Sequence, residues 1–372
     1  MNLFSPLSPE ALHSINTLTK RVEALFPIPA RFQGKLLRTV ADLSQLFTAH
    51  RPVRTCIYLN DPPKLSAYLR YFLPWNVYRL CRLLPSLPLT LQDGDALTDL
   101  GSGPLTFPLA LWIARPDLRT KHLEFRCLDR AGAALEAGKK LFSSLLDCPH
   151  WHIKTIRASL SAPVHGPKAA LITASMVLNE EYESPHTALA GIAERAAHLL
   201  TARTTPDGMV LVVEPGIPRS GKLISALRTA LHTAGFPCLS PCPHTSTCPC
   251  PDSPDAKWCH FAFSTDDAPP ALLNLSAAAG IPKERATLSF LLAGSTGSCT
   301  KGLRIVSDAF PIDRADHAQY GRYACSERGL VLLTGKKAAI KAYDSGTLLP
   351  LPDRAPQKRD QKTGAFIVEV RP

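Results

Sequence analysis

No window of eighteen consecutive apolar residues occurs in this chain of 372 residues, so nothing in it reads as a membrane-spanning helix. The opening Met1-Asn2-Leu3-Phe4-Ser5-Pro6 has no basic n-region, and the first arginine is Arg21. Neither a signal nor a transit peptide is expected, and the expected compartment is the cytoplasm. Acidic residues are in short supply, with 31 Asp and Glu against 42 Lys and Arg and a net charge of +11. The imbalance is local. Residues 1–90 hold eleven Lys and Arg against Glu10, Glu23, Asp42 and Asp61, which is +7. Residues 335–372 hold eight against Asp344, Asp353, Asp360 and Glu369, which is +4, so the middle is neutral. Positive charge confined to the flanks suits modules that meet a polyanion, nucleic acid first among them; a plain solvated surface is the alternative.

An even cysteine count is missing too. Eleven cysteines in a chain expected in the cytoplasm point to metal or redox chemistry rather than a disulfide framework. Five of them fall between Cys238 and Cys259.

The length allows more than one core. In the first part, Leu12, Ile15, Leu18, Val22 and Leu25, then Leu36, Leu37, Val40, Leu43 and Leu46, recur at helical spacing. Ser8-Pro9-Glu10 reads as a helix cap with Pro in the first turn. A second helical pair is expected at 63–84. There Tyr68, Tyr71, Phe72, Trp75 and Tyr78, with Tyr58 just before, are interleaved with Arg70, Arg79 and Arg82. Aromatics beside arginines can stack on unpaired bases, and they can equally be core.

From Ala96 to about Phe263 strand-like and helical runs alternate, as a doubly wound parallel sheet requires. Strands are expected at 96–100, 123–128, 151–156, 169–174 and 208–214, with helices near 104–114, 131–146, 186–203 and 220–234. The first strand ends at Asp99 and breaks into Gly101-Ser102-Gly103-Pro104. A parallel strand handing over to a helix there leaves backbone N–H groups facing a crevice, and the two glycines let a ligand approach them. The third glycine of the dinucleotide fingerprint is absent. The spacing D-x-G-x-G is similar instead to motif I of class I methyltransferases, which bind S-adenosylmethionine. Asp129, ending the second strand, is then placed to accept both ribose hydroxyls. Beyond the fourth strand, Ser175 and Asn179 face the same crevice, with Glu180 beside them; an Asx-type helix cap is the alternative for Asn179. Asn-Pro-Pro-Tyr and a Pro-Cys nucleophile are both missing from this position, so no catalytic base is named. Gly216 through Lys222 matches G-x-x-x-x-G-K, but Leu223 stands where a phosphate loop needs a hydroxyl for magnesium, which speaks against a nucleotide triphosphatase.

The cysteine-rich segment reads Cys242-Pro243-His244-Thr245-Ser246-Thr247-Cys248-Pro249-Cys250-Pro251, then a spacer at 252–257, then Trp258-Cys259-His260-Phe261. Thiolates among prolines cannot form regular helix, and a metal centre would order them. Zinc accepts four cysteines or a mixture with histidine, while an iron–sulfur cluster prefers thiolates. Buried inert cysteines are the remaining option.

The run C-P-H-x3-C-P followed by W-C-H-F resembles the small ribosomal subunit methyltransferase-like family, which includes the mitochondrial methyltransferase-like protein seventeen group and bacterial relatives. Its mitochondrial members assist assembly of the small ribosomal subunit. The resemblance implies a class I methyltransferase sheet joined to a four-cysteine iron–sulfur site, [4Fe-4S], with zinc as the alternative. It implies Cys242, Cys248, Cys259 and Cys325 as ligands, the last in Ala324-Cys325-Ser326-Glu327-Arg328-Gly329. Cys250 could replace Cys248, and Cys238 and Cys299 are lesser alternatives. Supporting matches run through Asp99 to Gly103, Thr173 to Glu180, Glu214-Pro215-Gly216 and residues 283–290.

Short β runs at 287–293, 303–307 and 329–333 suggest a small β-rich C-terminal module that brings Cys325 back to the cluster. The tail, with Arg354, Lys358, Arg359 and Lys362, is expected to order only on a partner, or to be plainly disordered. The expected architecture is a class I (Rossmann-like) methyltransferase sheet at 91–270 between a basic helical module at 1–90 and the β-rich module at 271–372. The expected function is S-adenosylmethionine-dependent methylation of small-subunit ribosomal RNA, or RNA-binding assembly of that subunit without chemistry.

Overall fold

The computed structural model describes residues 2–48, 57–145, 150–163, 165–180, 188–250, 258–312, 319–351 and 358–370. The spacer at 252–257, Arg354 and the start of the helix expected at 186–203 lie outside the described residues.

The first helix, α1 (Pro9–Leu25), starts where the sequence places its cap: Ser8 Oγ accepts from the Ala11 N–H at 3.1 Å and Pro9 opens the first turn. It buries Ala11, Ile15, Leu18 and Val22. Next come α2 (Ala30–Gln33) and α3 (Leu36–Thr48), which buries Val40 and Leu43. Leu25 and Leu37, expected on the inner faces, are 40% and 41% exposed. Lys20, Arg21, Arg31, Lys35 and Arg38 form an exposed basic outer side.

Residues 62–83 make one continuous run rather than a helical pair: α4 (Pro62–Ala67), a π turn (Tyr68–Phe72) and α5 (Leu73–Leu83). The cause is local. Pro74 lacks the N–H that the Arg70 carbonyl would accept in an α-helix, and the Leu73 N–H reaches the Tyr68 carbonyl instead, an i−5 bond. Ten of the eleven residues of α5 are buried, so it packs on every side.

The large sheet uses β1 (Ala96–Leu100), β2 (Leu123–Asp129), β3 (Trp151–Arg157), β4 (Ala169–Ser175) and β5 (Thr204–Pro215) in parallel, close to the expected spans. The helices between them are α6 (Thr106–Ala114), α7 (Gly132–Leu145), α8 (Leu189–Thr201) and α9 (Pro218–Thr233). After β6 (Cys238–Ser240), β7 (Phe261–Ser264) and α10 (Pro270–Ala278), β8 (Arg285–Gly294) enters the same sheet antiparallel to β5. The order is β3-β2-β1-β4-β5-β8-β6, with β7 also on β8. The run at 287–293, expected in the C-terminal module, is therefore part of the large sheet. It is buried on both faces, which local pattern alone cannot assign to one sheet or another. One face carries the N-terminal helices with α6 and α7 over a core from Leu3 and Phe4 to Phe290; the other carries α8 and α9.

A second sheet holds β9 (Leu303–Ile305), β10 (Phe310–Pro311), β11 (Gln319–Ser326) and β12 (Gly329–Lys336), then α11 (Lys337–Lys341), β13 (Leu348–Leu349) and β14 (Phe366–Glu369). Alternation along β11 divides its side chains: Tyr320 and Ala324 pack in this sheet's own core, while Tyr323 and Cys325 join the main core. The described part of the tail is ordered, for Arg359 lies 3.8 Å over the Phe366 ring and Arg359 bridges to that strand. The whole is a doubly wound α/β fold with a mixed large sheet, an N-terminal helical region and a second small sheet.

Candidate functional site

The strand order turns around between β1 and β4, and their carboxyl ends bound the crevice in which open α/β sheets take ligands. Asp99 sits there, 2% exposed, and accepts from Thr173 Oγ1 at 2.5 Å through Oδ1. Burial pushes its carboxyl up to about 7; the nearby charge of Asp129 adds to the rise, and the Ser102 and Thr173 hydroxyls oppose it. Gly101 and Gly103 both have positive φ, 67° and 52°. They do different things. A Cβ at Gly101 would stand 2.3 Å from Val177 Cγ2, so glycine is a packing requirement, whereas a Cβ at Gly103 would meet nothing within 4 Å. Gly103 is the open side of the turn.

Asp129 ends β2 beside that turn. Its Oδ2 accepts the Gly103 N–H at 2.8 Å and its Oδ1 the Ala131 N–H at 2.7 Å, which ties the turn to the start of α7. Around the crevice Asp99 Oδ2, Ser102 Oγ and Ser175 Oγ are buried with no hydrogen-bond partner among the described residues. Each such atom costs roughly 1–3 kcal/mol until something pairs with it. Leu105 and Met176, both non-glycine, hold positive φ of 58° and 59° just past β1 and β4. Strain of that kind concentrates at binding sites.

Asn179, also expected at the cofactor, is engaged elsewhere. Its Nδ2 donates to Glu214 Oε2 at 2.6 Å, and the Leu178 and Asn179 backbone N–H groups donate to the same carboxylate at 2.9 and 3.3 Å. Glu214 is fully buried and acts as a clasp on the turn after β4. The residues lie 35 apart in the chain, so no local spacing announces the pair. The phosphate-loop-like stretch has another use as well: Gly221 lies inside α9, and its Cβ would stand 2.7 Å from Trp258 and 2.8 Å from the Cys259 carbonyl.

The aromatic and arginine stretch is divided by the fold. Tyr71, Trp75, Tyr78, Arg70 and Arg82 are buried, and Arg82 pairs with Asp267 at 2.6 Å. A cavity of ≈190 Å³ opens beside them at the ends of β4 and β5, walled by Tyr58, Tyr68, Phe72, Arg79, Met176 and Lys283, among others.

The expected metal ligands come from three places. Cys242 and Cys248 follow β6, Cys259 precedes β7, and Cys325 is on β11, where it pairs in register with Arg304 of β9. All four line one cavity of ≈30 Å³, together with Cys250, Arg228, Arg304 and the apolar Phe261, Phe290 and Val306. Cys238 and Cys299 do not line it. Ser289 Oγ donates to the Cys259 carbonyl at 2.9 Å, and Arg228 donates to the carbonyls of His244 and Ser246 at 3.0 and 2.7 Å, fixing the loop. His244 Nε2 lies 3.2 Å from Cys325 Sγ. No three His, Cys, Asp or Glu side chains among the described residues close on one point at which they could hold a single ion. The surroundings of the sulfurs are cationic, with Arg228 and Arg304 both buried at the thiols. No helix of the described residues is long and apolar enough to cross a membrane.

The profile of the family described as mitochondrial small ribosomal subunit Rsm22 matches residues 67–320. Among solved structures, a methyltransferase from Pyrococcus furiosus is 10% identical with a TM-score of 0.33, over 56% of this chain and 78% of its own. An S-adenosylmethionine-dependent methyltransferase from Geobacter sulfurreducens, in complex with S-adenosyl-L-homocysteine, is 13% identical with a TM-score of 0.34, over 72% and 98%. A geranyl diphosphate methyltransferase is 13% identical with a TM-score of 0.35, over 75% and 100%. No curated protein matches the chain.

Proposed function

The chain belongs to the Rsm22 family of the mitochondrial small ribosomal subunit, and from that premise we propose that it is an S-adenosylmethionine-dependent methyltransferase of small-subunit ribosomal RNA. The observation that carries the reading is the trio of unpartnered buried polar atoms, Asp99 Oδ2, Ser102 Oγ and Ser175 Oγ, around the open side of Gly103. That is the chemistry a polar nucleoside cofactor satisfies. Asp129 is assigned to the ribose while it keeps the turn in place, and Asp99, Gly101, Ser102 and Gly103 to the methionine end. Bound there, the cofactor supplies an activated methyl group on a sulfonium. The chain's part is to hold donor and acceptor in line and keep water out.

One observation favours a second reading, an RNA-binding assembly factor that keeps the cofactor without chemistry. Asn179 and Glu214, at the strand end where a transfer centre would lie, are consumed by each other. The discriminating experiment offers labelled S-adenosylmethionine and immature small-subunit particles to protein purified without oxygen. Label on one nucleotide establishes the enzyme; particle and cofactor binding without label establishes the assembly factor.

Cys242, Cys248, Cys259 and Cys325 are proposed to hold a [4Fe-4S] cluster. Five thiols lining one cavity beside two buried arginines suit it, and a zinc ion is the alternative. Cys250 stands beside Cys248 as its alternative. Such a cluster would clamp the segment around Cys242 to β11. A basic helical module at 1–90, a sheet module that runs from 91 through β8, a β-rich module from β9 onward, the small subunit as partner and the cytoplasm as compartment complete the proposal.

A further inference from the structure

Neither the turn residues Asp99 to Gly103 nor Asp129 line the cavity beside the crevice. Its walls come from the N-terminal helices, the strand ends of β4 and β5, and Lys283 ahead of β8. Two features set its chemistry. The first is a set of half-buried rings, with Tyr68 and Phe72 stacked at 5.6 Å and Phe47 edge-on to Phe72 at 4.8 Å. The second is a pair of cations: Lys283 Nζ lies 5.8 Å from both the Tyr71 and Trp75 ring centres, and Arg79 donates to Asn76 Oδ1 at 3.0 Å, with its buried Nε unpartnered among the described residues. No Asp or Glu among the described residues lines the cavity. Burial and the neighbouring Arg79 charge lower the Lys283 ammonium to about 8.

Two enclosed cations without a counter-ion repel another cation, so the sulfonium donor does not belong here. An anion with a flat ring satisfies both features. The π turn that bends Tyr68 and Phe72 into the wall and the left-handed Met176 are the local irregularities that shape the cavity. We propose that this cavity receives a single unpaired nucleotide of RNA, its base against Tyr68 and Phe72 and its phosphate on Arg79 and Lys283. The proposal deepens the small-subunit RNA reading and rests on it. At ≈190 Å³ the cavity has room for one base and not for a duplex. A nucleotide entering it comes from a single strand or is flipped out of a helix.

The test is binding of a fluorescent single-stranded RNA nonamer to the whole chain, in parallel with an acidic peptide of the same length. Nonamers carrying 4-thiouridine provide a second readout by photocrosslinking. Lys283→Gln and Phe72→Leu are each expected to weaken RNA binding about tenfold, as loss of a phosphate contact or a base stack does, with the melting curve still cooperative. Crosslinks are expected within 58–79. Unchanged affinity in both variants, with crosslinks confined to the basic side of α1–α3, would overturn the cavity assignment and leave RNA binding intact. Binding of the peptide in preference to RNA would overturn both.

Discussion

A carboxyl group buried at the end of β1, with Thr173 on one oxygen, holds its proton more tightly in the folded chain than in the unfolded one. Asp99 titrates at about 7 when folded, against ~3.9 when unfolded. Between those values the folded state binds the extra proton, so this residue's contribution to stability is full at low pH and is lost as pH rises to about 7. Asp99→Asn removes the slope. In thermal melts the variant should gain on the parent between about pH 5 and about pH 8, by an amount on the order of a few kcal/mol. An equal gap at both pH values would show that the carboxyl is not buried as described. The two glycines of the same turn give a contrasting pair. Gly101→Ala forces a Cβ into Val177 and should destabilise by about 1–3 kcal/mol more than Gly103→Ala, while Gly103→Ala, which meets open space, should chiefly impair cofactor binding. Denaturant titration of both variants measures the order, and its reversal would mean that Val177 does not lie on the turn.

At the scale of elements, what was legible in the sequence were the parallel strands and the turn after β1, because apolar runs closed by small or acidic residues carry that information locally. Asp99, Gly101, Gly103 and Asp129 were found this way, and the five strands fall within a few residues of expectation. The rest depended on distant partners. Nothing near Arg285 says that β8 inserts beside β5, nothing near Asn179 announces Glu214, and the π turn needs both Pro74 and the packing of α5 around it. Cys325 was legible only through family resemblance, since it stands on β11 of the second sheet while the other thiols of its cavity come from the segment between β6 and β7. The prediction at this scale is a clamp. Serine at both Cys259 and Cys325 should abolish iron content and visible absorbance in anaerobically purified protein, whereas Cys299→Ser, outside the cavity, should keep both. Retention of iron by the double variant would overturn the ligand assignment.

For the whole molecule, Lys20, Arg21, Arg31, Lys35 and Arg38 of the α1–α3 region are all exposed and outnumber its three acidic residues, Glu10, Glu23 and Asp42. A polyanion held by that side would be steered toward the aromatic cavity and the strand ends behind it. Binding to single-stranded RNA should weaken linearly with the logarithm of salt concentration. Replacing Lys35 and Arg38 with Gln should reduce that slope by about 1.4 if each meets one phosphate. An unchanged slope would place the RNA elsewhere.

Methylation and cofactor-dependent assembly share one requirement, that the crevice at β1 and β4 binds the cofactor. Calorimetric titration of S-adenosyl-L-homocysteine into the anaerobically purified chain measures it directly. The expected result is saturable one-to-one binding, weakened at least about tenfold by Gly103→Ala or Asp129→Ala in variants that remain folded. No binding by the folded parent chain, or binding that both substitutions leave intact, would contradict the account.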